Sequence, residues 1–213
     1  MQLRDAQGNR VRKSLMGTNF GTNTLIGSGE LTDSMAKIHR HLLARIGANP
    51  NVVFLDTPAG FELNVDEISA RAIEYFKQRL AVDLQVASFK SRNANEMQIA
   101  STLNNLRCAH YFFAGPGSPS YAISNWRNTS VWQMVLQRWQ SGAHLVFASA
   151  AAIASSYAAL PVYEIFKAGH AVCWIDGLAA LKPFGLRLAI VPHWNNAEGQ
   201  TYDTRYCFMG EPR

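Results

Sequence analysis

Cysteine is scarce in this chain, charge is thin, and no apolar run is long enough to span a membrane. The three cysteines, Cys108, Cys173 and Cys207, are scattered. They show neither metal-ligand spacing nor a disulfide framework, and reduced cytoplasmic thiols are the simplest account. Charged residues make up 16% of the chain and hydrophobic residues 48%, which supplies a large core and argues against disorder. The longest apolar runs fall short of a membrane span, and Met1-Gln2-Leu3-Arg4-Asp5 lacks the apolar segment of a secretory signal. A nucleic-acid partner is not expected either. The net charge is +5, but Arg4, Arg10, Arg12 and Lys13 against Asp5 put +3 of it in a short polar leader. No basic stripe is interleaved with aromatics, as a nucleic-acid groove would need.

What is present has a regular order. A length of 213 residues suits one α/β domain. Residues 1–20 read as a flexible extension and 21–213 as a single domain. Thr24-Leu25-Ile26-Gly27 reads as a strand ending in the turn Gly27-Ser28-Gly29-Glu30. Met35, Ile38, Leu42 and Ile46 then recur at helical spacing. Asn51–Asp56 reads as a buried strand stopped by Thr57-Pro58-Ala59-Gly60. Asp66 and Glu67 suit the first turn of a helix that carries Ile73, Phe76 and Leu80 on its apolar face. A strand over 82–86, a helix around 96–106 and a strand over 110–113 follow. After Pro119 comes more helical pattern, with Val131, Val135 and Trp139 on one face and Gly142 as its C-terminal stop. Strands alternating with helices predict a mostly parallel sheet in an α/β/α sandwich. In such folds ligands bind beyond the C-terminal ends of the strands. The loops Gly27–Glu30 and Ala114–Ser118 and the turn at Ser149 fall there.

The sharpest signal is His144-Leu145-Val146-Phe147-Ala148-Ser149-Ala150-Ala151-Ala152. A strand-like run stops at one serine and an alanine-rich helical run begins, which is the shape of a nucleophile elbow. The turn is tight, so its neighbours must be small, and Ala148, Ala150, Ala151 and Ala152 are. Phe147 stands where a glycine is common. A small serine in a buried strand–helix junction is the plain alternative.

An elbow serine needs a histidine base, and the base needs a carboxylate. His39 and His41 read as solvent-facing. His110 and His144 begin strands, at the wrong end of the sheet, and His170 sits in a glycine-flanked turn. His193 follows the apolar run 186–192, read as a strand, and so falls at the C-terminal edge.

Ser149-Ala150-x-Ala152 with His193 downstream resembles the cyanophycinase and aspartyl-dipeptidase family of serine peptidases, which share the class I glutamine amidotransferase-like fold. The turns Gly27-Ser28-Gly29-Glu30 and Phe113-Ala114-Gly115-Pro116-Gly117-Ser118 stand in that family's order. The segment from His193 to Glu211 is similar to a subgroup of type 1 glutamine amidotransferase-like proteins. The resemblance implies an acid between the serine and the histidine. Glu164 is the candidate, with Asp176, Glu198 and Asp203 as further options.

The resulting expectation is a serine hydrolase of an amide or peptide bond, without metal or organic cofactor, acting on small acidic or aspartyl peptides. Ser149 is the nucleophile, His193 the base and Glu164 the orienting acid. Ala150 N–H and either Gly115 or Gly117 N–H form the oxyanion hole, because Pro116 has no N–H. Arg205, Asn195 and Asn196 are candidate substrate contacts. No membrane partner is expected, and a homodimer stays open. Phe147, Ala151 and the altered 114–118 turn depart from the family, and further C-terminal strands would be expected beyond Arg213. These departures keep a rival open: an inactive amidotransferase-like protein that binds a metabolite or partner. True amidotransferase chemistry would need a cysteine where Ser149 stands. An α/β-hydrolase would need Gly-x-Ser-x-Gly, which is absent.

Overall fold

Five four- and five-residue apolar segments form one parallel sheet in a computed structural model that describes residues 19–195 and 204–209. The strands are β1 (Asn23–Ile26), β2 (Val52–Leu55), β3 (Leu84–Ala87), β4 (Tyr111–Ala114) and β5 (His144–Ala148). Their order across the sheet is β1-β5-β4-β2-β3, and every pairing is parallel. β2, β4 and β5 are buried along their whole length, as a sheet covered by helices on both faces requires.

Alternation along each strand divides two cores. Phe54, Tyr111, Phe113 and Val146 face α1 (Asp33–Ala44) and α2 (Val65–Tyr75). Val53, Leu55, Phe112, Leu145 and Phe147 face the other layer. That layer holds α3 (Glu96–Arg107), α4 (Pro119–Trp126), α5 (Ser130–Gln140) and α6 (Ser149–Ala154). The result is the expected α/β fold with helices on both faces of a mostly parallel sheet.

The inner faces of two helices differ from their expected ones. In α1 the buried residues are Ala36, His39, Leu42 and Leu43, while Ile38 is exposed. In α2 they are Val65, Ser69, Ala72 and Tyr75, and Ile73 points outward. Small residues let these helices approach the sheet closely, and a reading weighted by large apolar side chains rotates each face by a position. His39 is fully buried, a correction to its solvent-facing reading. Its Nε2 donates to the Glu30 carbonyl at 2.9 Å, so its Nδ1 accepts from the Tyr111 hydroxyl at 2.6 Å.

His144 and His110 are structural, as expected from their place at the strand starts. His144 Nδ1 accepts from Thr22 N–H at 3.0 Å, and His110 Nδ1 from Asn51 N–H at 3.1 Å. The extension over 1–20 lies outside the described residues except for its end. There Phe20 packs on Trp139 and Phe184, with ring centroids 4.8 and 4.7 Å away.

Two further short strands, β6 (Ala158–Ala159) and β7 (Ile175–Asp176), pair antiparallel, with α7 (Val162–Lys167) between them. The run 186–192 is not a strand. Its main chain is held at isolated points, by Tyr157 N–H to the Leu188 carbonyl at 2.8 Å and by Ile190 N–H to Ser156 Oγ at 3.0 Å. Leu186 and Leu188 stay exposed. No helix among the described residues is long and apolar enough to cross a membrane.

Candidate active site

The chain leaves β2 toward β3 and leaves β4 toward β5, so the connections after these adjacent strands diverge. Such a switch point opens a crevice at the C-terminal edge of a parallel sheet. The loop after β2 and the turn after β4 close on each other there. Ser118 N–H donates to the Pro58 carbonyl at 2.9 Å. Gly117 has φ +137°, a region that favours glycine. The glycine is needed for space as well, since a Cβ on it would lie 2.0 Å from the Pro58 carbonyl oxygen.

Ser149 stands on the neighbouring strand end. β5 runs in extended backbone to Ala148, and Ser149 then turns sharply with φ +46° into α6. A serine in this left-handed region is strained by about 1–2 kcal/mol, which the buried alanines around it must hold in place. Ala150 to Ala154 are all essentially inaccessible. Ala151 N–H donates to the Gly115 carbonyl at 3.3 Å, tying the elbow to the 115–117 turn. Phe147 points away from the elbow turn. Its ring goes down into the core against the stacked pair Trp126 and Trp132, with each centroid 6.1 Å away.

His193 reaches this serine without a strand beneath it. Ser149 Oγ and His193 Nε2 are 2.8 Å apart. His193 is 8% exposed, with φ +53°. Cys207 N–H donates to its carbonyl at 3.2 Å, and the Phe208 ring packs edge-on against the imidazole at 4.9 Å. Tyr206, Cys207 and Phe208 form a turn of three consecutive residues with positive φ. Cys207 is the buried pin of this turn, and burial pushes its thiol up to about 12.

Glu164 lies on α7, and its hydrogen bonds run elsewhere than to His193. Its Oε1 accepts from Ser118 Oγ at 2.9 Å and from Ser120 Oγ. Its Oε2 is buried, with no hydrogen-bond partner among the described residues. Ser118 in turn caps α4, accepting from Tyr121 N–H at 3.0 Å. Glu164 therefore braces the turn that carries Gly115 and Gly117. Asp176 is exposed on β7. Glu198, Asp203 and Asn196 lie outside the described residues.

A cavity of about 240 Å³ opens at the pair, walled by Ser149, His193, Gly117, Val162, Phe166 and Phe208. Pro116, Tyr163, Glu62 and Lys167 also line it. The Tyr163 phenol is pushed above its ordinary value by desolvation, then by the nearby Glu62 carboxylate. Arg205 and Asn195 are exposed and do not line this cavity. Arg205 lies over the Tyr206 ring, 5.8 Å from its centroid. The α7 wall and Phe208 were not expected from the sequence. Glu62 had a readable signal: β2 is parallel to the others, so its loop must emerge at the same edge.

Fold and site together define a class: a parallel-sheet α/β protein with a strained elbow serine beside a buried histidine. No protein-family model matches the sequence, and no curated protein matches it. Solved structures do share the fold. A peptidase from an acI-B1 actinobacterium superposes with a TM-score of 0.68 at 21% identity, over 83% of this chain and 69% of that one. A candidate peptidase E protein from Listeria monocytogenes EGD-e superposes with a TM-score of 0.55 at 14% identity, over 84% of this chain and 82% of that one.

Proposed function

We propose that the protein is a serine-type hydrolase of an amide or peptide bond in a small peptide. The observation that carries this reading is the 2.8 Å contact between Ser149 Oγ and His193 Nε2, within the reach that proton transfer needs. His193 takes the Ser149 proton as Oγ attacks the carbonyl carbon. It then returns that proton to the leaving nitrogen, which departs as the free amine. Water, deprotonated by the same histidine, releases the acid and restores the serine. The developing oxyanion is held by Ala150 N–H, next to the nucleophile, and by Gly117 N–H, whose residue lines the cavity with Ser149. Gly115 is the alternative second donor.

Glu164, the acid expected for a Ser-His-Glu set, contributes through the turn it braces, since its Oε1 is taken by Ser118 and Ser120. Asp176, Glu198 and Asp203 are the other carboxylates to test for the seat beside His193. The resemblance directs the substrate class to acidic or aspartyl peptides, and the peptidase neighbours support a peptide bond as the target. Lys167 is the cation on the cavity rim that an acidic group would meet. Arg205, Asn195 and Asn196 are candidates for contacts to the outer part of such a substrate.

Labelling with a fluorophosphonate tests the reading. Wild-type protein should label at Ser149, located by peptide mapping, and Ser149→Ala and His193→Ala should abolish the label. A folded wild-type protein that does not label overturns it.

A further inference from the structure

The cavity at Ser149 is walled by rings that follow one another from the base. The Phe208 ring centroid lies 4.9 Å from the imidazole of His193, and the Phe166 centroid lies 5.3 Å from that of Phe208. Both phenyl rings are half-buried. Val162, buried on α7, continues the apolar wall. Charge comes last. Lys167 is exposed, and its ammonium lies 5.5 Å from the Phe166 centroid. Among the described residues it is the one lysine or arginine that lines the cavity. Glu62 brings a carboxylate, close enough to the Tyr163 hydroxyl to help hold its proton.

We propose that this wall sets the specificity on the acyl side of the cleaved bond: the residue whose carbonyl Ser149 attacks carries an apolar side chain, packed against Phe208 and Phe166. The inference rests on the serine-hydrolase reading and narrows its substrate. The reacting carbonyl carbon lies at Ser149 Oγ, with its oxygen toward the oxyanion donors. Its α-carbon is one bond away, so the side chain on that carbon falls within the same cavity. A volume of about 240 Å³ holds one large side chain. An apolar side chain there leaves water for two rings and Val162, which is a favourable transfer. A short acidic one fits badly. Its carboxylate, one methylene from the α-carbon, loses water against the rings before it meets a lysine, and the Glu62 charge repels it. An acidic group on the same peptide therefore belongs to a neighbouring residue, which passes the mouth of the cavity and meets Lys167 there. One small peptide in this way satisfies both the apolar wall and the acidic character that the resemblance implies.

The test uses α-aminoalkyl phosphonate diphenyl esters, which carry a side chain where the acyl residue carries its own. Ser149 Oγ bonds to their phosphorus as phenol leaves. Esters with benzyl and isobutyl side chains should label Ser149 at least about tenfold faster than the carboxymethyl ester, the size of preference that an apolar pocket supplies. Phe166→Ala should shrink that ratio about tenfold, and Phe166→Leu, which keeps an apolar wall, should shrink it less. A substitution that only loosens the fold slows every ester alike and leaves the ratio standing. A ratio near one in wild type, or one that Phe166→Ala leaves unchanged, overturns the slot. Faster labelling by the carboxymethyl ester, lost in Lys167→Met, overturns it as well and gives the acyl side to an acidic residue. Fluorophosphonate separates the two readings. Label at Ser149 without the side-chain preference defeats the slot alone, whereas a folded wild-type protein that neither reagent labels defeats the serine reading and the slot with it.

Discussion

The α-carbon of Gly117 packs so closely on the Pro58 carbonyl that a Cβ there would lie 2.0 Å from its oxygen. This contact holds the turns after β2 and β4 together above the cavity at Ser149. Gly117→Ala meets both a closed space and a left-handed backbone. The substitution should destabilise the protein by at least about 2 kcal/mol and lower the rate of fluorophosphonate labelling more than tenfold. Urea unfolding and labelling kinetics check the two effects. A variant that unfolds like wild type would show that the turns are not locked in this way.

Glu164 offers a way to separate bracing from acid catalysis. Glu164→Gln retains an oxygen that accepts from Ser118 and Ser120, so a bracing role survives it. Labelling should fall by no more than about tenfold, whereas Glu164→Ala removes both contacts and should cost more in rate and in stability. A loss in Glu164→Gln on the order of 10⁴-fold would instead match the removal of a triad acid. Parallel Asp203→Asn, Glu198→Gln and Asp176→Asn variants then identify the residue whose loss reaches that size.

Acid should weaken the fold through two buried histidines. Burial holds His39 below its ordinary value, against a smaller opposing pull from its bond to the Glu30 carbonyl. Burial also lowers His144, helped by the Arg45 charge. Both accept a hydrogen bond at Nδ1, which a proton would displace. A histidine with a lowered folded pKa binds fewer protons folded than unfolded. Its stabilising effect is therefore full above the ordinary value of 6.5 and is lost as pH falls below it. The unfolding free energy should be lower at pH 5.5 than at pH 7.5, and His39→Gln should flatten part of that slope. Asp56, whose carboxyl burial pushes up, acts in the opposite sense. A flat profile for wild type would mean that neither histidine stays neutral in the fold.

The sheet and the pairing of Ser149 with His193 were legible for different reasons. Each strand is a short apolar run between turn residues, and a buried parallel sheet has no other pattern. Ser149 was legible because an elbow concentrates its constraints in consecutive residues. His193 was legible from the right premise with the wrong detail. Its edge position was read from a strand over 186–192, yet irregular chain delivers it, held by Ser156 and Cys207. Burial of His39 was hidden because a lone polar residue on a helix carries no period of its own. The walls of the cavity come from α7 and from Phe208, far apart in sequence, and no local pattern marks a side chain chosen for a distant neighbour. Glu164 shows the same limit, since sequence order suggests an acid but not whether it meets a histidine or two serines.

Phe147 stands where a nucleophile elbow commonly carries glycine, and introducing that glycine tests what the bulk does. The ring is fully buried against Trp126 and Trp132, on the face of the sheet away from α1 and α2. Ala148 alone separates it from Ser149, but the backbone turns sharply at Ser149, so the ring goes down while the turn lifts the serine up. Space around Ser149 is thus set by Ala148, Ala150 and Ala151, and not by Phe147. Phe147→Ala should cost about 3–5 kcal/mol, the usual range for emptying a buried aromatic site. Phe147→Gly should cost about 1 kcal/mol more for its backbone freedom. Neither should raise the labelling rate of the fraction that stays folded. Faster labelling in Phe147→Gly, measured where both proteins are fully folded, would mean that the ring does hold Ser149 away from its best geometry.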